Sequence, residues 1–573
     1  MTSWPIEGAV DERWPLYTRG NIGEVFPEVV TTLGYELCVV PAERGWRRAF
    51  DRLGIAREGD FASEEPVILG TFSGYAYLNL SYNRMMGVRA PGSSAEAIDT
   101  AFFGEGDPPP YVPRPGDRSL RSSLRILRTV LAALRTRELP ELVDDSRRRT
   151  DDFIARRPAL DASDQDLLDY LTSYPAAFDP VFANHITTSV TAAIVSGPLS
   201  DAAVAAGDPG LVTHLMGAAG DVKSAEYSRD LHAIAQHVKS SPVLSGAFDD
   251  GIEGLADRLA GLSGEDAQSF QRMFEGFIAT HGHRGPNDWD ITSRTWDNTP
   301  ELALIAIDRM RIAEDDPSAD QQVDDDARRK AAIDAVRPHL SAADRLAFGQ
   351  AIKAMPYWTQ AREATRDLGV RIILPAKQAY RELVRRAAER GGAADPIETA
   401  LLSSAELPAY LADPASMLDV IAERSATLRR YQAITPQFFV GGSHEVPTLE
   451  GLEAEQASST STSQVSSGEV LTGRAGCSGV AEGTVRVILD PADAAELNPG
   501  DVLVAPHTDP SWTPLFMPAS AVVVNVGSLM SHAVIVAREL DIPCVVAVEG
   551  ATEQLRDGMH VRVDGTAATV TVL

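Results

Sequence analysis

The chain has 573 residues, 44% of them hydrophobic, and its 52 Lys+Arg against 81 Asp+Glu leave a net charge of −29. That length predicts about three or four domains, and the acidic balance argues against nucleic acid or an anionic membrane as partner. Cys38, Cys477 and Cys544 are too scattered for a metal or disulfide pattern, and no run of about 18 apolar residues predicts a membrane span. The N-terminus has no signal-peptide pattern, so the expected location is cytoplasmic.

Residues 1–110, rich in Gly, Pro and aromatics, predict a mixed lobe. RSLRSSLRILRTVLAALRTREL (118–139) then opens a long helical region. Leu120, Leu124, Leu127, Val130, Leu131 and Leu134 recur at helical spacing and predict one apolar face. Further helical patterns continue to YRELVRRAAERGG, where the paired Gly reads as a helix stop. Composition shifts at EQASSTSTSQVSSG (455–468), and the segment 451–468 is read as a flexible Ser/Thr linker.

Beyond it, GTVRVILD, DVLVAPH, AVVVNV, CVVAVEG, HVRVDG and TVTVL are Val-rich runs bounded by Gly, Pro and Asp, which predict strands. DPADAAEL and HAVIVAREL predict helical pieces between them. The expected architecture is α+β multidomain: a mostly helical domain over 1–450, the linker, and a compact C-terminal α/β domain over 469–573.

Within that last domain, GSLMSHAVIVAREL (527–540) sets His532 at the junction of a small-residue loop and a helix, with Ser531 as a candidate cap. A helix N-terminus carries unpaired N–H groups and partial positive charge, so it suits an anion such as phosphate. The imidazole is therefore a candidate nucleophile with a phosphate loop of Gly527, Ser528 and Ser531; a buried structural histidine is the plainer alternative.

GSLMSHAVIVARELDIPCVVAV resembles the phosphohistidine motif of the swivelling domain in the phosphoenolpyruvate-utilising, dikinase-type family. DVLVAPHTDPSWTPLF (501–516) is similar to that domain's Asp-Pro-x-Trp-Thr-Pro turn, and GCSGVAEGTVRVI (476–488) to its opening. Ser528 and Met530 depart from the usual pattern. The resemblance implies that His532 takes a phosphoryl group at one site and delivers it at another, splitting a hard transfer into two easier ones. No Gly-Gly-Lys or Walker-type stretch is present. The resemblance therefore places ATP and Mg2+ on a separate ATP-grasp subunit, with no metal or tightly bound cofactor on this chain.

WPLYTRGNIGEVFPEVVTTL (14–33) and HGHRGPNDWDITSRTWDNTPE (281–301) resemble parts of the acceptor domain of rifampicin phosphotransferase and phenylphosphate synthase-type (4-methylphenyl phosphate-forming) subunits. In the second stretch, Arg284 offers a planar fork for phosphate. His283 or His281 is a candidate proton acceptor, with Asp288 or Asp290 as alternatives or as supports for the arginines. Asp290 and Arg294 read as scaffold. Tyr75, Tyr77 and Tyr82, in an aromatic-rich run, are candidates for holding a ring-bearing acceptor, or else ordinary core. The function expected is phosphoryl transfer from His532 to a small organic hydroxyl, a phenol such as an alkylphenol. A rifamycin-like antibiotic hydroxyl, or a non-catalytic phosphocarrier, are the alternatives.

Overall fold

The computed structural model describes residues 4–573 apart from 62–64, 104–107, 209, 217–222, 313–320, 460–464 and 528–530. The N-terminal lobe is a small antiparallel sheet of β1 (Leu16–Thr18), β2 (Leu69–Phe72), β3 (Tyr75–Asn79) and β4 (Phe439–Gly441), in the order β2-β3-β1-β4. Ser73 and Gly74 join β2 to β3 with φ of 52° and 77°. Two successive left-handed residues match the right-handed twist of a hairpin, and Gly adopts that conformation without strain. Because β4 pairs with β1, the far end of the helical region returns to the first strand.

The helical body is centred on Asp164–Ala205, begun by a capping box between Ser163 and Asp166. It packs along Val40–Leu53 and Ala342–Arg371. At Gly45 a Cβ would stand 2.8 Å from a Phe182 ring carbon and 3.1 Å from the Asp179 carbonyl, so only a bare backbone lets the helices approach this closely. The helix expected within 118–139 forms at Leu120–Leu134, but its leucine stripe does not face the core. Leu120 is 87% exposed and Leu124 64%, while Ile126 and Ala133 are the buried residues. Of the predicted face, Leu120, Leu124, Leu127 and Leu131 are exposed, while Val130 and Leu134 pack against the core.

The three tyrosines proposed for acceptor binding are core residues. Tyr82 is fully buried between Trp14, Phe50 and Phe61. Tyr75 and Tyr77 donate their hydroxyls to the backbone carbonyls of Tyr431 (3.0 Å) and Gln437 (2.7 Å), and both rings flank the Arg19 guanidinium. Buried tyrosines usually find such partners; the hydroxyls of Tyr75 and Tyr77 are taken up by the backbone, and that of Tyr82 is enclosed in the core.

The six Val-rich runs form strands β7 (Val480–Val487), β8 (Val502–Ala505), β9 (Ala521–Val524), β10 (Cys544–Val546), β11 (His560–Asp564) and β12 (Thr569–Val572). Two more, β5 (Val470–Thr472) and β6 (Arg474–Cys477), complete an eight-stranded sheet in the order β5-β12-β11-β7-β8-β9-β10-β6. The centre, β7 to β10, is parallel, and its β8, β9 and β10 are buried throughout, which explains their near-continuous Val runs. The His532–Glu539 helix follows β9, so the histidine sits at the carboxyl end of a central parallel strand, the usual place for chemistry in such sheets. DPADAAEL makes a short 3-10 turn, Pro491–Glu496. Cys477 and Cys544 face each other across β6 and β10 and remain free thiols.

The segment read as a flexible linker begins as a helix, Leu449–Ser459. The first part of the Ser/Thr tract continues a helix whose Leu449 and Leu452 anchor it to the core. Residues 460–464 lie outside the described residues, and Val465 is already buried in the C-terminal sheet. No helix among the described residues is long and apolar enough to cross a membrane.

Candidate functional site

The loop after the Glu265–His281 helix carries the acceptor-side candidates, and its backbone is tightly folded. A Cβ on Gly285 would lie 2.3 Å from the Arg294 carbonyl, so the two limbs of the loop touch. Asn287 adopts a left-handed φ of 52°, which Asn tolerates better than most residues. From the Leu374–Glu389 helix, buried Lys377 donates to the Asp288 carbonyl (3.1 Å) and to Ser293 Oγ (2.6 Å). Burial and neighbouring Arg381 push its pKa down to about 8. Asp290 accepts from the Thr292 N–H at 2.7 Å, a turn-forming contact consistent with scaffold.

Arg284, 5% exposed, is the charge at the centre of this loop. Its Nε lies 3.1 Å from Asp288 Oδ2 and its Nη1 3.9 Å from Asp367 Oδ1, and its plane rests 5.6 Å from the Tyr227 ring centre. Nη2 is buried with no hydrogen-bond partner among the described residues. A buried cationic donor left unmade is costly, and it marks a place where an anion would be bound. Arg366 adds a second guanidinium 3.8 Å from Asp288 Oδ1. His283 Nε2 is held by Asp367 at 2.9 Å and His281 Nε2 by Asp230 at 2.8 Å, so that nitrogen in each ring is already occupied by a carboxylate.

The C-terminal domain docks directly onto this loop. Asn287 N–H donates to Asp509 Oδ2 (3.0 Å), and Tyr227 OH meets Thr513 Oγ1 (3.1 Å). Arg309 donates to the Leu497 carbonyl (2.6 Å), and Arg294 pairs with Asp490 across the boundary. Ile305 of the helical body is buried within the apolar cluster of Leu497, Leu515 and Phe516. The docking surface thus has an apolar centre and a polar rim.

His532 is half-buried at this junction. Its Nδ1 lies 3.0 Å from Thr508 Oγ1 and its Nε2 3.1 Å from Thr513 Oγ1. Burial first, then the charges of Arg366 and Arg284, push its pKa down to about 3. The ring is therefore neutral at physiological pH. Burial and the neighbouring Asp288 charge push Asp509 the other way, up to about 6. Of the predicted phosphate loop, Gly527 fits closely, since a Cβ there would stand 2.9 Å from Val546 Cβ. Ser531 occupies the N-cap position without making the cap bond, and its buried Oγ has no partner among the described residues. Ser528 lies outside the described residues.

The structure brings His532, Arg284 and Asp288 together, with His283 one turn of loop behind. Sequence reading missed Thr508, Thr513, Tyr227, Arg366 and Asp367. Thr508 directly precedes the Asp-Pro-x-Trp-Thr-Pro turn and Thr513 is its threonine; the turn's Trp512 is buried in the domain core, and that anchoring was the available signal. The other three lie on helices far away in sequence, where nothing local distinguishes them.

An uncharged His532 has a direct spectroscopic consequence. The docked state prefers the neutral ring, so His532 contributes stability that is fully present above about 6.5 and is lost as pH falls toward the docked value of about 3. Imidazole nitrogen NMR at pH near 5.5 should show His532 still neutral. A midpoint near the ordinary histidine value would mean that the ring is not held as described.

Comparison with known proteins agrees with this geometry. Residues 497–568 match the model of the PEP-utilising enzyme mobile domain, and residues 181–363 match the rifampicin phosphotransferase fourth domain. The first match lies wholly within the C-terminal domain and the second within the helical body. A prodigiosin synthesizing transferase, PigC of Serratia marcescens, is 25% identical over 99% of this chain and 64% of its own length. A rifampicin phosphotransferase of a Streptomyces species is 30% identical over 62% of this chain and 40% of its own length. An uncharacterized phosphotransferase, YvkC of Bacillus subtilis, is 26% identical over 61% of this chain and 42% of its own. The chain thus spans less than two thirds of these relatives. The acceptor-side loop 281–301 falls inside the fourth-domain match and His532 inside the mobile domain, so each half of the site comes from a different matched unit.

Proposed function

We propose that this chain is a phosphotransferase in which His532 carries a phosphoryl group to an organic hydroxyl bound beside Arg284. The observation that carries this is the pairing of a neutral, hydroxyl-flanked imidazole with a buried arginine donor that lacks a partner, each supplied by a different domain. Phosphoryl transfer needs positioning and charge stabilisation more than covalent help. Arg284 and Arg366 supply the charge, Asp288 orients both, and the His283–Asp367 pair buttresses the loop.

Nε2 is the reacting nitrogen in this reading. Its partner Thr513 contacts Tyr227 of the helical body, whereas Nδ1 faces Thr508 of its own domain. The phosphoryl group comes from ATP, with Mg2+, at a separate ATP-grasp subunit, and the mobile domain leaves its docked position to collect it. Tethering keeps the carrier concentrated near both sites.

For the acceptor we favour a small phenolic hydroxyl. The named rifampicin phosphotransferase relative supports an antibiotic hydroxyl as the second reading. The test is to load His532 chemically with phosphoramidate, then offer phenols, a rifamycin or water alone. A transferase loses its phosphate faster with the right alcohol and yields a phosphate ester. Release as inorganic phosphate alone, at one rate whatever alcohol is added, would instead fit a carrier without turnover.

A further inference from the structure

We propose that His185 contacts the acceptor hydroxyl, resting on the phosphotransfer reading above. His185 lies on the Asp164–Ala205 helix, and its ring stacks on Trp289 with centres 5.7 Å apart and planes at 27°. Phe182 closes the cluster, 6.1 Å from His185 and 5.5 Å from Trp289. Phe182 and Trp289 are buried and His185 is half-buried, so the imidazole is the open member of the three.

Chain connectivity fixes where this ring stands. Trp289 directly follows Asp288, which pairs with both Arg284 and Arg366. On the other side, His185 Nδ1 is 3.5 Å from Thr365 Oγ1, the residue directly before Arg366. The imidazole is thus held between the two segments that supply the site's arginines.

The hydrogen bonds also set its tautomer. The Thr365 hydroxyl has one proton and three partners nearer than His185: the Ala361 carbonyl at 2.7 Å, the Thr188 hydroxyl at 2.8 Å and the Arg362 carbonyl at 3.1 Å. With that proton on a nearer partner, Thr365 accepts from Nδ1–H, the tautomer in which Nε2 holds the lone pair. Burial, then the charges of Arg366 and Arg362, lower the His185 pKa to about 3 and keep that lone pair unprotonated. A phosphoryl dianion arriving beside Arg366 opposes the arginines' share of this shift.

In the transfer, the acceptor oxygen forms its bond to phosphorus and the P–N bond to His532 breaks. The electron pair of that bond returns to the ring nitrogen. Phosphohistidine protonated on its other nitrogen departs as neutral imidazole, and the hydroxyl proton passes to His185 Nε2. The ligand class is a hydroxylated organic molecule small enough to reach His185 while the phosphoryl group is gripped by the arginines.

The test uses full-length protein loaded on His532 with phosphoramidate. His185→Phe should load normally, yet deliver to alcohols about 100-fold more slowly. His185→Gln, which retains a hydrogen-bond acceptor, should recover part of that rate. Delivery by His185→Phe at the parent rate would overturn the inference and leave the phosphotransfer reading standing. Both variants failing to load would also overturn it, because the role would then be structural. A parent protein that loads but delivers to no alcohol would remove the broader reading and this one with it.

Discussion

His532→Ala is expected to abolish phosphoryl uptake and delivery together, with any residual rate at least about 1,000-fold below the parent, because the nucleophile of a two-step transfer has no substitute. The fold should survive. The ring's polar contacts are the Thr508 and Thr513 hydroxyls at the domain junction, and losing two such bonds costs about 1–3 kcal/mol. Acid-labile protein phosphate after loading, together with a melting curve, checks both halves of the claim. Normal uptake in the variant would place the phosphoryl group on another residue.

Arg284→Lys separates the two half-reactions. Loading takes place away from the acceptor loop and should be unchanged, while delivery should fall about 100- to 1,000-fold. Lysine keeps the charge but loses the planar fork that meets Asp288 through Nε and presents Nη2 to the phosphoryl group. Arg284→Ala is a poorer probe. It would leave Asp288, 2% exposed, facing Arg366 alone, and breaking a buried pair costs about 3–5 kcal/mol. A rapid-quench comparison of loading and delivery in Arg284→Lys decides the matter. Loss of loading with delivery intact would move Arg284 to the donor side.

The setting of His532 was legible because its signal is local. His532 sits where a buried Val run ends, a small-residue loop follows and a helix begins, and these features lie within about twenty residues in any strand–loop–helix unit. The strands were legible for a related reason: a parallel sheet buried on both faces demands nearly continuous apolar, mostly β-branched residues, and β8 to β10 supply them. Of the edge strands, β5 is three residues long and β6 carries Arg474 and Gly476, so neither gave such a run.

The acceptor side resisted for the opposite reason. Arg284 and Asp288 share one loop, but the groups that complete the site arrive from elsewhere: Tyr227 on Lys223–Ser240, Arg366 and Asp367 on Ala342–Arg371, and His185 on Asp164–Ala205. Helical spacing says which face a residue occupies and not which distant loop it meets. The tyrosines of β3 misled because aromatic density is a property of cores as much as of pockets. The leucine stripe of Leu120–Leu134 misled because periodicity identifies a face without saying what lies against it.

The account stands on phosphorus being bonded to one ring nitrogen of His532 before it reaches a hydroxyl at the Arg284 loop. Phosphorus–nitrogen correlation NMR on protein with isotopically labelled histidine, followed through a single turnover, tests this directly. The prediction is a bond to Nε2 of His532 whose signal decays at the rate at which the phosphate ester appears. Phosphorus bonded to a different side chain, or an ester that forms while the His532 signal persists, would contradict the account.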